Sequence, residues 1–176
     1  MTGASLLAHI GSYSVSSVLS RDAKSFGKQF LFDGSRGTCW NSEQGSPQHV
    51  LVEFARAVRI ESVRIQFQGG FAGRDTRLID LDRKQVVALL HPADTNKLQS
   101  FPLPAAEQAV PRRRIKLQFL SSTDFYGRIV VYSLDFCGRP ADDSGGSAGV
   151  PRADGTRNNN GGSNGGCPGG TVITIL

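Results

Sequence analysis

Apolar and polar residues alternate with a period of two along much of this chain. Val63-Arg64-Ile65-Gln66-Phe67-Gln68 alternates strictly, as a half-exposed antiparallel strand does, and His49-Val50-Leu51-Val52-Glu53-Phe54 reads as a more deeply buried strand. Ile115, Leu117 and Phe119 alternate with Lys116 and Gln118, and Val130, Tyr132, Leu134 and Phe136 form another period-two face. Val86 to Leu90 and Leu98 to Leu103 supply two further strands. Between Ile60 and Val63 the phase breaks, which predicts a turn or a bulge, because a one-residue slip sends every side chain to the wrong face. The helical pieces are short, around Asp22 to Phe30 and Ala105 to Ala109. Several short strands without a sustained helical stripe predict an all-β sandwich or barrel.

Composition limits this to one domain and a tail. The chain has 176 residues, long enough for one real core. From about Ala141 it turns to Gly, Ser, Asn and Asp, as in Asn158-Asn159-Asn160-Gly161-Gly162, too little apolar surface to offset ordering entropy. The expected organisation is an N-terminal segment over 1–13, a sandwich over 14–138 and a disordered tail over 139–176. Thr171-Val172-Ile173-Thr174-Ile175-Leu176, at the end, is β-prone and could lie loose or add to a sheet edge.

Charge adds a weak clue. Residues 1–138 hold 17 Lys/Arg against 12 Asp/Glu and the tail three of each, so the whole +5 excess sits on the folded part. Such an excess attracts phosphate, anionic lipid or acidic protein without choosing among them. Cys39, Cys137 and Cys167 are an odd number with no CxxC pair, which fits a reducing compartment. Leu6-Leu7-Ala8 is too brief for a signal-peptide core, no apolar run reaches membrane-spanning length, and no Asn-x-Ser/Thr sequon occurs. An intracellular protein is expected.

The densest local signal is Phe30-Leu31-Phe32-Asp33-Gly34-Ser35-Arg36-Gly37-Thr38-Cys39-Trp40-Asn41-Ser42. Asp33-Gly34 is a turn in which glycine accepts positive φ and the carboxylate takes nearby backbone N–H groups. Trp40 is placed to close one end of the core, with its indole N–H satisfied at the rim. The run Phe32-Asp33-Gly34…Thr38-Cys39-Trp40-Asn41-Ser42, followed by the Val50–Phe54 strand and a closing strand to Gly138, resembles the discoidin-like (galactose-binding-like) domains over roughly 14–138. That resemblance implies a jelly-roll β-sandwich whose end loops hold the ligand. Ser16-Ser17-Val18-Leu19, Phe26-Gly27-Lys28, Gln66-Phe67-Gln68-Gly69-Gly70-Phe71, Phe101-Pro102-Leu103-Pro104-Ala105-Ala106-Glu107 and Thr123-Asp124-Phe125-Tyr126-Gly127-Arg128 look further like a small nuclear-receptor-associated family. This second resemblance implies a nuclear, non-enzymatic partner of an orphan nuclear receptor that suppresses the receptor's binding to its DNA element. The tail after Gly138 departs from that family's short ending.

Candidate sites follow. In Gln68-Gly69-Gly70-Phe71-Ala72-Gly73-Arg74 the glycines permit a tight reversal that either exposes Phe71, rimmed by Arg74 and Arg77, or folds it back over the core. Phe125, Tyr126 and Arg128 offer a second partner-binding loop, with Phe125 more often core than contact. Arg112-Arg113-Arg114 with Lys116 is a basic patch suited to phosphate or acidic protein, although solvated arginines before a strand are the usual explanation. Discoidin-like relatives often place a structural calcium near the Asp-Gly segment. Asp33 and Thr38 are the weak candidates, and a metal-free turn is favoured because Ca²⁺ takes six to eight oxygens and Ser133 stands where relatives often supply Glu.

Catalytic patterns are misplaced. His9, His49 and His91 lack triad or metal-hydrolase spacing, and Gly-x-Ser-x-Gly occurs only in the tail, without the strand and helix it needs. No zinc finger, RNP sequence, Walker loop or dinucleotide fingerprint is present, so no cofactor and no sequence-specific nucleic-acid binding are expected. Val86-Val87-Ala88-Leu89-Leu90 is one residue short of a Leu-x-x-Leu-Leu docking helix and its β-branched start favours a core strand. Thr174-Ile175-Leu176 fits a peptide for PDZ-type strand addition. A protein-binding module is expected, with a sugar-binding module as alternative, and no membrane partner; the single Trp is committed to the core rather than to stacking a sugar.

Overall fold

The computed structural model describes residues 3–142; the tail readings, including both Gly-x-Ser-x-Gly runs, Cys167 and the terminal β-prone residues, lie outside them. In chain order the elements are β1 (Ala4–Ser5), β2 (Ile10–Val15), helix α1 (Ala23–Phe26), β3 (Trp40–Asn41), β4 (Gln48–Phe67), β5 (Gly73–Asp80), β6 (Gln85–Leu90), β7 (Gln99–Pro102), helix α2 (Ala105–Gln108), β8 (Pro111–Ser122) and β9 (Val130–Pro140). Both helices fall where short helical pieces were expected and are only one turn long. All strand pairs are antiparallel.

The two alternating runs His49–Phe54 and Val63–Gln68 are halves of one strand. The first half of β4 pairs with β2 and β8, the second with β7 and β9. Val58 sits at the crossover, opposite Arg112 of β8 and Pro140 of β9. The register slips between Ile60 and Ser62, so the phase break is a bulge and not a turn. Through this bend β4 passes from one layer of the sandwich to the other.

Inward side chains from the two layers interlock. Phe54 meets Phe136 edge-on with ring centroids 6.0 Å apart, and Phe67 meets Phe119 the same way at 5.8 Å. Val50, Val52, Ile65, Leu78, Ile115, Leu117 and Leu134 fill the space between them. Trp40 is fully buried, 6.3 Å from Phe119, and its Nε1 donates to the Ser17 carbonyl at 2.9 Å. The Trp therefore closes one end of the core with its polar atom satisfied, as the sequence led one to expect. Ser42, also buried, accepts the Ile129 N–H through Oγ while its own N–H donates to the Ile129 carbonyl, both at 2.9 Å.

The boundaries at 14 and 138 both move outward. Ala4 and Ser5 pair with Gly138 and Cys137 of β9, Leu6 is buried in the core, and β2 begins at Ile10, so residues set apart as an N-terminal segment complete a layer. Gly138 marks a close approach and not an end: a Cβ there would lie 2.0 Å from the Arg59 carbonyl oxygen. The chain stays paired beyond it, with Ala141 N–H donating to the Ala57 carbonyl at 2.9 Å.

Candidate functional site

One end of the sandwich gathers the β3–β4, β4–β5, β6–β7 and β8–β9 connections. The β4–β5 loop is tied from the side, with Gly69 N–H donating to Asn96 Oδ1 and Gly70 N–H to Asp94 Oδ1, each at 2.7 Å. Gly70 takes φ +86°, a conformation that only glycine adopts freely, and this lets the loop reverse in one residue. Ala72 and Thr123 then exchange hydrogen bonds, Ala72 N–H to Thr123 Oγ1 and Thr123 N–H to the Ala72 carbonyl, both at 2.9 Å. The β8–β9 loop is in turn fixed to the β3–β4 loop by Gly45 N–H donating to the Tyr126 carbonyl at 2.7 Å.

This scaffold holds Phe71 half-buried, between the exposed anchor and the core lid that the sequence allowed. The Arg128 guanidinium carbon lies 4.7 Å from its ring centroid. Arg128 is aimed by Asp124, whose Oδ2 accepts the Arg128 N–H at 3.0 Å and stands 3.5 Å from its Nε. Gln68 accepts from the Tyr132 hydroxyl at 3.3 Å. Phe125 and Tyr126 stand at the tip, 93% and 60% exposed, stacked edge-to-face at 5.3 Å. Of the two readings open for Phe125, loop contact or core, the structure has it exposed: Gly127, at φ +83°, turns the chain two residues on, and the Phe125 ring stands against Tyr126.

Of the expected loop cations, Arg74 is exposed where the loop enters β5. Arg77 does not join it. It lies three residues along β5, about 10 Å at strand rise, opposite Gln118 and Leu89 on the outer face of the sheet.

The basic patch is corrected. Arg112 is 2% exposed, its Nε 3.4 Å from Asp80 Oδ2 and its Nη2 bonded to Glu107 Oε2. Asp80, 1% exposed, also accepts the N–H groups of Asp82 and Arg83 at 3.0 Å. Arg113 pairs with Glu53 at 3.6 Å and Arg114 with Asp82 at 2.7 Å. The three arginines that look alike in sequence are a buried structural cation and two surface pairs. Glu107 lies only five residues before Arg112, on α2, whereas Asp80, Asp82 and Glu53 come from distant segments and were invisible as partners. Burial pushes the Arg112 pKa down, with Glu107 and Asp80 opposing it. Lys116 sits apart on β8, half-buried opposite Leu51 and Ile79.

At the Asp-Gly turn, Asp33 Oδ2 accepts the Thr38 hydroxyl at 2.6 Å and Oδ1 the Ser35 N–H at 2.9 Å. Both carboxylate oxygens serve the turn, and among the described residues no group of three His, Cys, Asp or Glu is placed to hold a metal. Asp33 is the one carboxylate of this turn, and Thr38 is bonded to it. His9 ends the short helical turn Leu7–His9, His49 lies on β4 and His91 just past β6. Cys39 and Cys137 are free thiols.

The chain is 53% identical over 127 residues to the nuclear receptor 2C2-associated protein of Xenopus laevis, covering 70% of this chain and 90% of that one. The protein of the same name from Danio rerio is 46% identical over 137 residues, covering 76% and 95%, and that from Homo sapiens 45% over 127 residues, covering 70% and 88%. The chain belongs to the nuclear receptor 2C2-associated protein family. No family model matches it. Among solved structures it is similar to the family 32 carbohydrate-binding module of Clostridium perfringens NanJ, determined with galactose, with TM-score 0.60, 15% identity and coverage of 77% and 98%. An F5/8 type C domain from Bacteroides fragilis matches with TM-score 0.58, 14% identity and coverage of 73% and 91%. At that identity these neighbours establish the fold, a jelly-roll sandwich of the galactose-binding-like type with F5/8 type C relatives. The relatives of this family are named for association with a nuclear receptor.

Proposed function

We propose that this chain is a non-enzymatic, nuclear protein-binding module that associates with an orphan nuclear receptor through the loop end of its sandwich and represses it by lowering its hold on its DNA element. The observation that carries the proposal is the exposed aromatic pair Phe125 and Tyr126, raised on loops cross-tied by backbone hydrogen bonds. Fixed aromatics bury large area at little entropic cost and dominate interface energetics. Beside them Phe71 and Arg128 present a flat cation-capped ring, and Arg74 supplies a basic rim. The relatives' name, nuclear receptor 2C2-associated protein, supports a receptor as the partner. No cofactor or metal enters this reading, nor direct contact with nucleic acid, a membrane or a sugar.

A gel-shift titration tests the repression directly. With receptor 2C2 and a labelled response element held constant, adding this protein should reduce the shifted band without producing a slower ternary band. A band that is undiminished at saturating protein contradicts the mechanism, and a supershifted ternary complex points to association without release of DNA.

A further inference from the structure

The layer formed by β2, the first half of β4, β8, β5 and β6 turns Ser14, Arg77, Val86 and Leu89 to solvent on its outer face. Its registers align two rows of side chains across the strands. One row runs Ser14, Leu51, Lys116, Ile79, Val86, each directly opposite the next. The next runs His49, Gln118, Arg77, Leu89. Val86 and Leu89 are 45% and 61% exposed, among the few large apolar side chains exposed to this degree. β6 is also the last strand of the sheet path, so its outer edge is open.

Two grooves open on this same face. One, of about 270 Å³, includes Ser12, Ser14, Leu51, Glu53, Leu81 and Arg114 in its lining. The other, of about 210 Å³, includes Asp75, Arg77, Leu89, His91 and Leu120. Arg77 lines the second groove and Lys116 stands between the two, opposite Leu51 and Ile79; neither has a carboxylate within ion-pair distance among the described residues, and Asp75 beside Arg77 accepts the Ser121 hydroxyl at 3.2 Å. Glu53, Asp82, Arg113 and Arg114, by contrast, are already paired. The face therefore offers apolar contacts interleaved with uncommitted positive charge.

We infer that this face is a second docking surface, distinct from the loop end, that receives an acidic, leucine-rich segment of a partner protein. The apolar row takes the partner's branched side chains, while Arg77 and Lys116 meet its carboxylates. Charge complementarity of this kind steers and orients more than it tightens. A nucleic acid is a poorer match: no Phe, Tyr or Trp belongs to these rows for base stacking, and the neighbouring Arg113 and Arg114 that would follow a phosphate backbone are paired with acids. Lys116 and burial together hold the His49 pKa below its usual value, with burial the larger cause, so this imidazole adds no competing cation near neutrality.

The test is fluorescence anisotropy on the full chain with three labelled peptides of equal length: alternating Leu-Glu, alternating Leu-Lys and alternating Ser-Glu. A labelled DNA duplex and the chain ending at Asp142 run alongside. The Leu-Glu peptide should bind at least tenfold tighter than the other two. Leu89→Ser, and separately Arg77→Glu with Lys116→Glu, should each weaken it tenfold or more, with circular dichroism unchanged. Phe125→Ala at the loop end should leave it alone. Equal affinity for the three peptides, tighter binding of the duplex, no binding at all, or equal loss with Phe125→Ala overturns the inference. Binding by the shortened chain alone overturns it too, because the face would then belong to this chain's own tail. None of these outcomes depends on whether a receptor uses the loop end.

Discussion

The guanidinium of Arg128 caps the ring of Phe71 at 4.7 Å, joining the β8–β9 loop to the β4–β5 loop across the end of the sandwich. Backbone bonds already brace these loops, so the contact adds orientation more than stability. Arg128→Ala should cost about 0.5–2 kcal/mol, the range of a cation–π contact with partial desolvation. Urea unfolding measures it. A loss well above that range would mean that Arg128 carries the loop fold and not just the placement of Phe71.

Phe125 is almost fully exposed, so its removal should separate binding from folding. Phe125→Ala should shift stability by no more than about 0.5 kcal/mol, while receptor affinity falls at least tenfold. Thermal unfolding and a binding isotherm on the same sample decide the matter.

The arginine triplet offers a three-way comparison in one run of sequence. Arg112→Ala leaves the buried Asp80 with only Arg83, at 3.4 Å, and strips Glu107 of its partner, and should cost about 3 kcal/mol, the low end for breaking a buried pair. Arg113→Ala and Arg114→Ala remove exposed pairs and should each cost no more than about 1 kcal/mol. Equal effects in denaturant unfolding would show that the buried charge is not what distinguishes Arg112.

His49 gives a pH signature. Its pKa in the fold lies below the ordinary 6.5, because burial and then Lys116 disfavour the imidazolium. The unfolded chain therefore takes up the proton first on acidification, and stability falls as pH drops below the ordinary value until the folded histidine also titrates. Replacing it, His49→Gln, should flatten the stability curve between about pH 7 and pH 5. Unchanged pH dependence in the variant would remove His49 as the cause.

Much of the sandwich was legible because half-buried strands carry period-two signals. Residues 48–67 show where this reading breaks: the bulge near Ile60 looks the same in sequence as a turn, and only pairing to β9 on one side and β8 on the other reveals one continuous strand. β2 was missed because Ile10-Gly11-Ser12-Tyr13-Ser14-Val15 places glycine and serines at positions that face solvent, leaving too few apolar residues to announce a strand. β5 was missed for a similar reason. Its burial alternates irregularly around Asp75, which takes φ +47° and upsets the phase.

The candidate site was legible in part. Trp40 and Asp33 were read correctly because their partners are local or generic: a backbone carbonyl for the indole, and the turn's own N–H and hydroxyl groups for the carboxylate. The triplet of arginines was not, because charge in sequence says nothing about which acid returns from another strand. Phe125 was left between loop contact and core because the sequence does not show how far the loop stands off, and the turn at Gly127 that lifts it out is set by docking against Gly45.

The most direct test of the central claim is the affinity of receptor 2C2 for the intact chain against Phe125→Ala/Tyr126→Ala, measured by surface plasmon resonance with circular dichroism to establish folding. The double variant should keep its fold and lose receptor binding at least tenfold. Undiminished binding by a folded double variant would contradict the loop end as the receptor's docking surface.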